Sequence, residues 1–314
     1  MFGALRGRDF RLFWFGAFVS NIGSWIQTIA LSWLVLQLTN SPLALGVVSF
    51  AGTAPILALS LVGGVYVDRV DRRNLLRVTQ SLLLVSATVL AILTLIGKIK
   101  VEYIVIISLI NGTIMAANAP AWQTFIVDLT EAADLPTAIA LNSTQFNLSR
   151  VVGPSIAGVL LATIGAAGCF FANALSFVAV VAALFAIRPK RVARALDTSG
   201  IWKRLGAGVG YASGHTVLRP LIVQTAIMTV FGFPFVLLMP VMAQQVLGLG
   251  ASGYGALMSA TGVGAILGSL TVATFGRRFP RGRLLLAAEI GFSVSLIGFS
   301  ASRTFSTALL LLGL

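Results

Sequence analysis

The chain has 314 residues, of which 57% are hydrophobic and 10% are charged, against about 25% charged residues in soluble domains. So few polar side chains cannot cover a water-facing surface, and the composition therefore excludes a soluble globular protein. The net charge of +13 is dispersed over several loops, so it does not indicate a nucleic-acid-binding domain. With one cysteine and one histidine there is no metal-ligand spacing and no acid–base constellation, so we expect neither an enzyme nor a bound metal or cofactor.

Long apolar runs separated by short polar stretches predict an all-α integral membrane protein. About 20 apolar residues cross the hydrocarbon layer as a helix, which satisfies its own backbone hydrogen bonds in lipid. A tenth span begins near Thr304 and stops inside an apolar stretch at Leu314, so we expect a C-terminally truncated sequence. The nine complete spans that we predict before it are Leu12–Leu38, Ala44–Val67, Leu75–Ile96, Tyr103–Val127, Thr137–Ile164, Ala167–Ile187, Leu221–Leu247, Gly253–Phe275 and Leu284–Ala301.

Lysine and arginine are concentrated on one side of this arrangement. With the N-terminus inside, the basic stretches 1–11, 68–77, 188–219 and 277–283 all fall on the inner face. The outer face receives Lys98, Lys100 and Arg303. Because cytoplasmic loops carry the excess of basic residues, we expect a multi-pass protein of the cell (inner) membrane with a cytoplasmic N-terminus. Its basic loops would lie against anionic lipid headgroups.

The loop between the second and third spans is densely charged. Topology alone explains its arginines, but it does not require an acid. We therefore interpret Asp68 as a latch that forms charge-assisted hydrogen bonds across the protein, while Asp71 either serves as a second acid or neutralises Arg72. The candidate gate residues are Gly64, Asp68, Arg69, Asp71, Arg72 and Arg73.

The fifth span carries a glycine–proline motif close to a charge. Gly153, Pro154 and Gly158 thin and kink the helix, which allows close backbone packing. Arg150 lies near the middle of this span, where a charge is costly and should face the protein interior or a watery cavity. Two interpretations of Arg150 remain open: a structural side chain bonded to carbonyls freed by the kink, or a cavity charge.

Polar side chains recur at helical spacing on the first, fourth and fifth spans. Taken singly, each is explained by hydrogen bonding between helices, and a tryptophan near a span end is typical of an interfacial anchor. Three polar faces in one half of the chain together predict a central cavity. Its candidate residues are Asn21, Trp25, Thr28, Asn111, Asn118, Trp122, Asn142 and Gln145.

The charged loop resembles a motif of the major facilitator superfamily, which reads Gly, three residues, Asp, a basic residue, any residue, Gly and two basic residues. Asp71 stands at the second Gly. The fifth-span motif is similar to the Gly-Pro-x-x-Gly-Gly motif of the exporters in that superfamily, with Ala157 at one Gly. Segments 118–129 and 142–154 resemble the enterobactin-exporter-like and macrolide-efflux branch. Ser108 stands where drug–proton antiporters of the superfamily usually carry an arginine.

This resemblance implies a major facilitator fold of twelve spans in two six-helix halves, with about nine or ten spans present here. The implied units are an N-terminal half over 1–187, a cytoplasmic central loop over 188–219 and an incomplete C-terminal half over 220–314.

The resemblance also implies a secondary active transporter that exports small molecules, drug-like or siderophore-like, by alternating access and H⁺ antiport. Such a pump would confer drug resistance. An importer of a nutrient or metabolite and a non-transporting membrane scaffold are the alternatives. The implied partners are the substrate, membrane lipids and H⁺, with no nucleic acid, and the protein is expected to act as a monomer.

Overall fold

A computed structural model describes residues 3–187, 210–211, 214–216, 218–232, 234–276 and 279–313 of the chain. Within the helices, the side chains at 61–63, 65–66, 68–69, 273 and 281 also lie outside the description. Every regular element in the described part is helical. The predicted central loop falls largely outside the described residues, as do Arg277 and Arg278.

The N-terminal bundle, as we call residues 3–187, consists of a short 3₁₀ turn and five helices. Asn40 in the left-handed region ends the first helix, with its N–H bonded to the Leu36 carbonyl at 2.7 Å. Pro42 then opens the second helix, a first-turn position where its missing N–H costs nothing. The elements are the turn Gly3–Arg6, α1 Arg8–Thr39, α2 Pro42–Arg69, α3 Arg72–Leu95, α4 Val101–Leu129 and α5 Leu135–Ala186.

Helix α5 combines the predicted fifth and sixth spans. It has 52 residues, about 78 Å at 1.5 Å per residue, which is far longer than one crossing of a hydrocarbon core of about 30 Å. The chain turns within it at Gly165, where φ is +71° and ψ is −175°, a conformation that L side chains rarely adopt. The two arms of α5, residues 135–164 and 166–186, therefore cross separately.

The described residues of the second part of the chain form five helices and two π-helical turns. The two π turns, at Met228–Gly232 and Met242–Val246, interrupt the predicted seventh span. Eight helical segments of the described residues, with α5 counted once, are long and apolar enough to cross a membrane. The helices are α6 Leu218–Ile227, α7 Pro234–Val241, α8 Ala251–Phe275, α9 Arg281–Ala301 and α10 Phe305–Gly313.

Two apolar cores lie at opposite ends of the helices. The joint core, as we name it, contains the C-terminal part of α1, the turn of α5 and the start of α8, and so joins the bundle to the second part. The bundle core at the other end draws its buried residues from the N-terminal bundle alone. Between them, α1 runs along both arms of α5, α2 packs on α4, and α5 crosses α8.

Candidate functional site

A polar cavity of about 570 Å³ lies in the middle of the N-terminal bundle. Its volume is within the range of about 300–1,000 Å³ that is typical of sites for drug-sized ligands. Helices α1, α3, α4 and both arms of α5 form its wall. The lining residues are Ser20, Asn21, Ser24, Gln27, Thr28, Gln80, Leu83, Asn111, Met115, Asn118, Ala119, Trp122, Gln123, Asn142, Ser143, Gln145, Phe146, Asn147, Asn173 and Phe177.

The structure brings seven of the eight predicted cavity residues to this wall. They are Asn21, Thr28, Asn111, Asn118, Trp122, Asn142 and Gln145. Trp25 packs against α5 instead, where a Cβ added at Gly153 would lie 2.5 Å from the Trp25 Cβ. At 100° per residue, position 25 is turned by about 60° from position 28 and by about 100° from position 24. That rotation places Trp25 outside the lining, and the binding role of the other seven stays a prediction.

Several lining residues were not predicted from the sequence, among them Gln80 and Asn173. Gln80 is the only amide of the predicted third span and Asn173 is the only amide of the sixth, so neither belongs to a stripe of amides at helical spacing. Both are nearly fully buried, with exposed fractions of 3% and 1%. A search for single amides inside predicted spans would have found them, because such side chains are costly in lipid and face the protein interior.

On the α3–α4 side of the cavity, a hydrogen-bond cluster forms around Asn118. Its Oδ1 accepts from the Thr79 hydroxyl at 2.8 Å and from the Gln80 amide nitrogen at 3.0 Å. Gln80 thereby uses its donor, while its Oε1 is buried with no hydrogen-bond partner among the described residues. The Oδ1 of Asn111, on the next turns of α4, is also buried and unpartnered there. Two residues of the cavity wall thus carry a buried acceptor oxygen that lacks a donor among the described residues.

On the opposite side, amides connect α1 to both arms of α5. Asn21 donates to Gln145 at 3.1 Å, and Asn173 donates to Gln27 at 2.8 Å. Gly23 permits this close packing, since a Cβ there would lie 2.0 Å from the Ser176 hydroxyl oxygen. One amide–amide hydrogen bond therefore joins α1 to each arm of α5 at the wall.

The charged loop between α2 and α3 holds helix ends together. The Asp71 carboxylate caps α3 by accepting from the Asn74 N–H at 2.9 Å, which gives a structural reason for an acid at this position. Arg72 pairs with Asp128 at 3.1 Å near the end of α4. Arg73 donates to the Leu184 and Phe185 carbonyls, each at 2.8 Å, at the C-terminal end of α5. Basic groups are favourable at such helix ends.

The remaining predicted gate residues are Gly64, Asp68 and Arg69. A Cβ added at Gly64 would meet no atom within 4 Å. The side chains of Asp68 and Arg69 lie outside the described residues, so the latch role of Asp68 stays a prediction.

The fifth-span motif forms the crossing of α5 with α8. The Cα of Gly158 lies 2.3 Å from where a Cβ of Gly255 would stand, so the two backbones touch. Pro154 is buried inside the helix, and its neighbour Ser155 donates to the Ser259 hydroxyl at 3.0 Å. Arg150 is half-buried beside this crossing, and no hydrogen bond joins its guanidinium to a carbonyl of the described residues.

Comparison with known proteins agrees with this architecture. Residues 1–314 match the family model described as transmembrane secretion effector.

The chain belongs to the transmembrane secretion effector family of the major facilitator superfamily.

The predicted superfamily and its all-α membrane fold are thereby confirmed. The Staphyloferrin A transporter of Staphylococcus aureus is 26% identical over 289 residues, which are 92% of this chain and 72% of that protein. The multidrug efflux pump Tap of Mycolicibacterium fortuitum is 26% identical over 297 residues, 91% of this chain and 72% of that pump. These relatives are transporters and not enzymes.

The fold is also that of a bacterial homologue of the human lysosomal transporter Spinster, solved in an inward-facing, unoccupied form. The TM-score is 0.74 at 12% identity, over 98% of this chain and 71% of that one. At this identity the likeness concerns the fold alone.

In the second part of this transporter, Glu289 on α9 accepts a hydrogen bond from the Gln224 amide on α6. The carboxylate is half-buried and does not contribute to the cavity wall. The wall carries no ionisable side chain among the described residues. The described wall therefore offers hydrogen-bonding and apolar groups but no charge.

Proposed function

We propose that this transporter exports a small molecule from the cytoplasm by alternating access. The halves 1–187 and 220–314, linked by the loop 188–219, rock against each other around the cavity. The observation that carries the proposal is the position of the cavity relative to the joint core. The cavity lies in mid-bundle, and the joint core separates it from the end of the protein at which α1 finishes.

The direction of loading rests on the distribution of basic residues. The arginines around Arg72 mark the end away from the joint core as cytoplasmic, by the positive-inside rule. In this orientation the halves pack together on the outer side, through the joint core and the α5–α8 crossing. A substrate would enter the cavity from the cytoplasm, and release would require the joint core to open.

The relatives support a drug-like or siderophore-like substrate, since one is named a multidrug efflux pump and another a Staphyloferrin A transporter. We propose H⁺ as the coupling ion and a monomer as the working unit, in a cell membrane with the N-terminus in the cytoplasm. The described cavity wall has no carboxylate, so a proton carrier would lie elsewhere.

Everted membrane vesicles from an efflux-deficient host test this function directly. A panel of macrolides, dyes, ferric siderophores and uncharged glycosides is offered outside, and export from the cytoplasm is then measured as accumulation inside. We expect accumulation of at least one compound, dependent on a proton gradient and abolished by a protonophore. Asn118→Leu should reduce it about tenfold or more, because the change removes the acceptor that holds Thr79 and Gln80.

Ser269→Ala is the matched control, since Ser269 is exposed and its hydroxyl bonds the Ile266 carbonyl of its own helix. Movement of every active compound in the opposite direction would support an importer. If no compound moves although the protein is inserted, the transporter proposal fails.

A further inference from the structure

The wall of the cavity has a specific chemistry. Ten of its lining side chains are amides, four are hydroxyls, and six are apolar, including Trp122, Phe146 and Phe177. None of the lining residues is charged. Amides and hydroxyls solvate a polar ligand in place of water, but they do not neutralise an ion. Moving an ion from water into such a site costs much more than moving a neutral polar group that finds hydrogen-bond partners.

The hydrogen bonds within the wall show which groups remain for a ligand. The Gln145 and Gln27 oxygens each accept a hydrogen bond, from the Asn21 and Asn173 amides respectively. Gln80 differs, because its nitrogen is used by Asn118 while its oxygen has no partner in the described part of the chain, at only 3% exposure. Buried acceptors without a donor are rare, since leaving one unsatisfied costs free energy. An N–H or O–H group of a bound molecule would satisfy it once the Gln80 amide turns toward the cavity.

Asn111 provides a second acceptor of the same kind. Its Oδ1 is buried and unpartnered among the described residues, and its side chain lines the same cavity. Two such oxygens on neighbouring helices disfavour an anionic ligand, because they place partial negative charge at the wall. A cation meets no carboxylate in the wall, and the chain around it has a net charge of +13.

We infer that the cavity selects an uncharged small molecule that is rich in hydroxyl or amide donors and has one apolar face. Gln80 and Asn111 accept from its donors, while Trp122, Phe146 and Phe177 pack against its apolar face. The inference rests on the proposed export function and specifies the substrate class of the same site. A cavity of this kind would bind cationic dyes and anionic chelators more weakly than uncharged molecules.

Three fluorescent glycosides that differ in one group provide the test. Methylumbelliferyl glucoside is uncharged, the corresponding glucuronide carries a carboxylate, and the glucosaminide carries an ammonium group. Binding of each to the purified full chain is measured by equilibrium dialysis. We expect the glucoside to bind at least tenfold more tightly than both charged analogues.

Variants then locate the selectivity. Gln80→Leu and Asn111→Leu should each weaken glucoside binding about five- to tenfold, the usual range for one lost hydrogen bond. Gln244→Leu is the matched control, because Gln244 also has a buried unpartnered Oε1 but does not line the cavity. It should leave binding unchanged.

Gln80→Glu keeps the size of the side chain and adds a charge, so the test does not depend on a variant that fails to fold. It should weaken glucoside binding and strengthen glucosaminide binding at least fivefold. Equal or tighter binding of a charged analogue to the wild-type chain would overturn the inference. So would export of charged panel compounds without glucoside binding, and in that case the exporter function stands. Export of no compound at all would remove the exporter function and, with it, the substrate class.

Discussion

Arg72 and Asp128 form an ion pair where the ends of α3 and α4 meet. Their side chains are 8% and 16% exposed, so most of the pair is shielded from water. Such a pair is often neutral to stability when it is replaced as a unit, but removing one partner is destabilising because the other buried charge loses a hydrogen-bonded ion pair. The pair therefore joins the ends of α3 and α4 next to the α3 cap at Asp71.

Asp128→Asn should destabilise the folded protein by about 3 kcal/mol, the lower end of the range for breaking a buried pair, because Asp128 keeps some exposure. The apparent melting temperature of the detergent-purified protein measures the effect. Glu131→Gln removes an exposed acid from the same loop and should change little. Combining Asp128→Asn with Arg72→Gln should cost less than the sum of the single changes, and strict additivity would show that the two residues are not coupled.

At the element scale, the crossing of α5 with α8 is the tightest contact between the N-terminal bundle and the second part. Gly158 and Gly255 touch through their backbones, and a Cβ at Gly262 would lie 2.9 Å from the Cα of Val151. Small residues at these positions let two membrane helices approach closely, which is a main source of helix association in lipid.

Gly255→Val should force α5 and α8 apart and reduce transport more than tenfold, because the obstructing atoms are backbone and cannot move aside. Transport in everted vesicles, normalised to inserted protein, checks this result. Gly268→Val on the same helix is the control, since an added Cβ there meets nothing within 4 Å. Equal transport by the two variants would show that the close crossing is not needed.

Most of these elements could be predicted from apolar length alone, because lipid leaves the backbone few choices besides a helix. The break between the fifth and sixth spans was predicted at Gly165, but the tight turn without a loop was not, since hydropathy does not register the positive φ of one glycine. Polar stripes on three spans identified seven of the twenty residues of the cavity wall. Trp25 was misplaced because helical spacing gives a face only to within one or two positions, and the partner helix decides which residue points inward.

Tertiary contacts account for what else the sequence could not reveal. The hydrogen bond from Gln80 on α3 to Asn118 on α4, for example, joins two residues that no sequence pattern connects. The joint core gathers residues that are distant in the chain, such as Trp33 and Tyr254, whose rings stack 5.7 Å apart. No local pattern connects such residues, so their association becomes apparent only in the folded protein.

At the scale of the whole molecule, the asymmetry between the two ends defines the proposed mechanism. Among the described residues, the halves share an apolar core at one end, whereas the core at the other end is formed by the N-terminal bundle. A hydrogen bond from Gln245 to Asn40 at 2.9 Å adds a polar contact at the shared end. For a substrate to leave the cavity toward that side, α5 and α8 have to separate.

A reversible crosslink between Ser155 and Ser259 tests that movement most directly. Their hydroxyl oxygens lie 3.0 Å apart across the α5–α8 crossing, and cysteine is nearly isosteric with serine. We expect the Ser155→Cys, Ser259→Cys protein, in a Cys169→Ser background, to lose transport on oxidation, to keep binding its substrate, and to recover transport on reduction. Each single cysteine variant should be insensitive to oxidation. Undiminished transport by a fully crosslinked protein would contradict the alternating-access account.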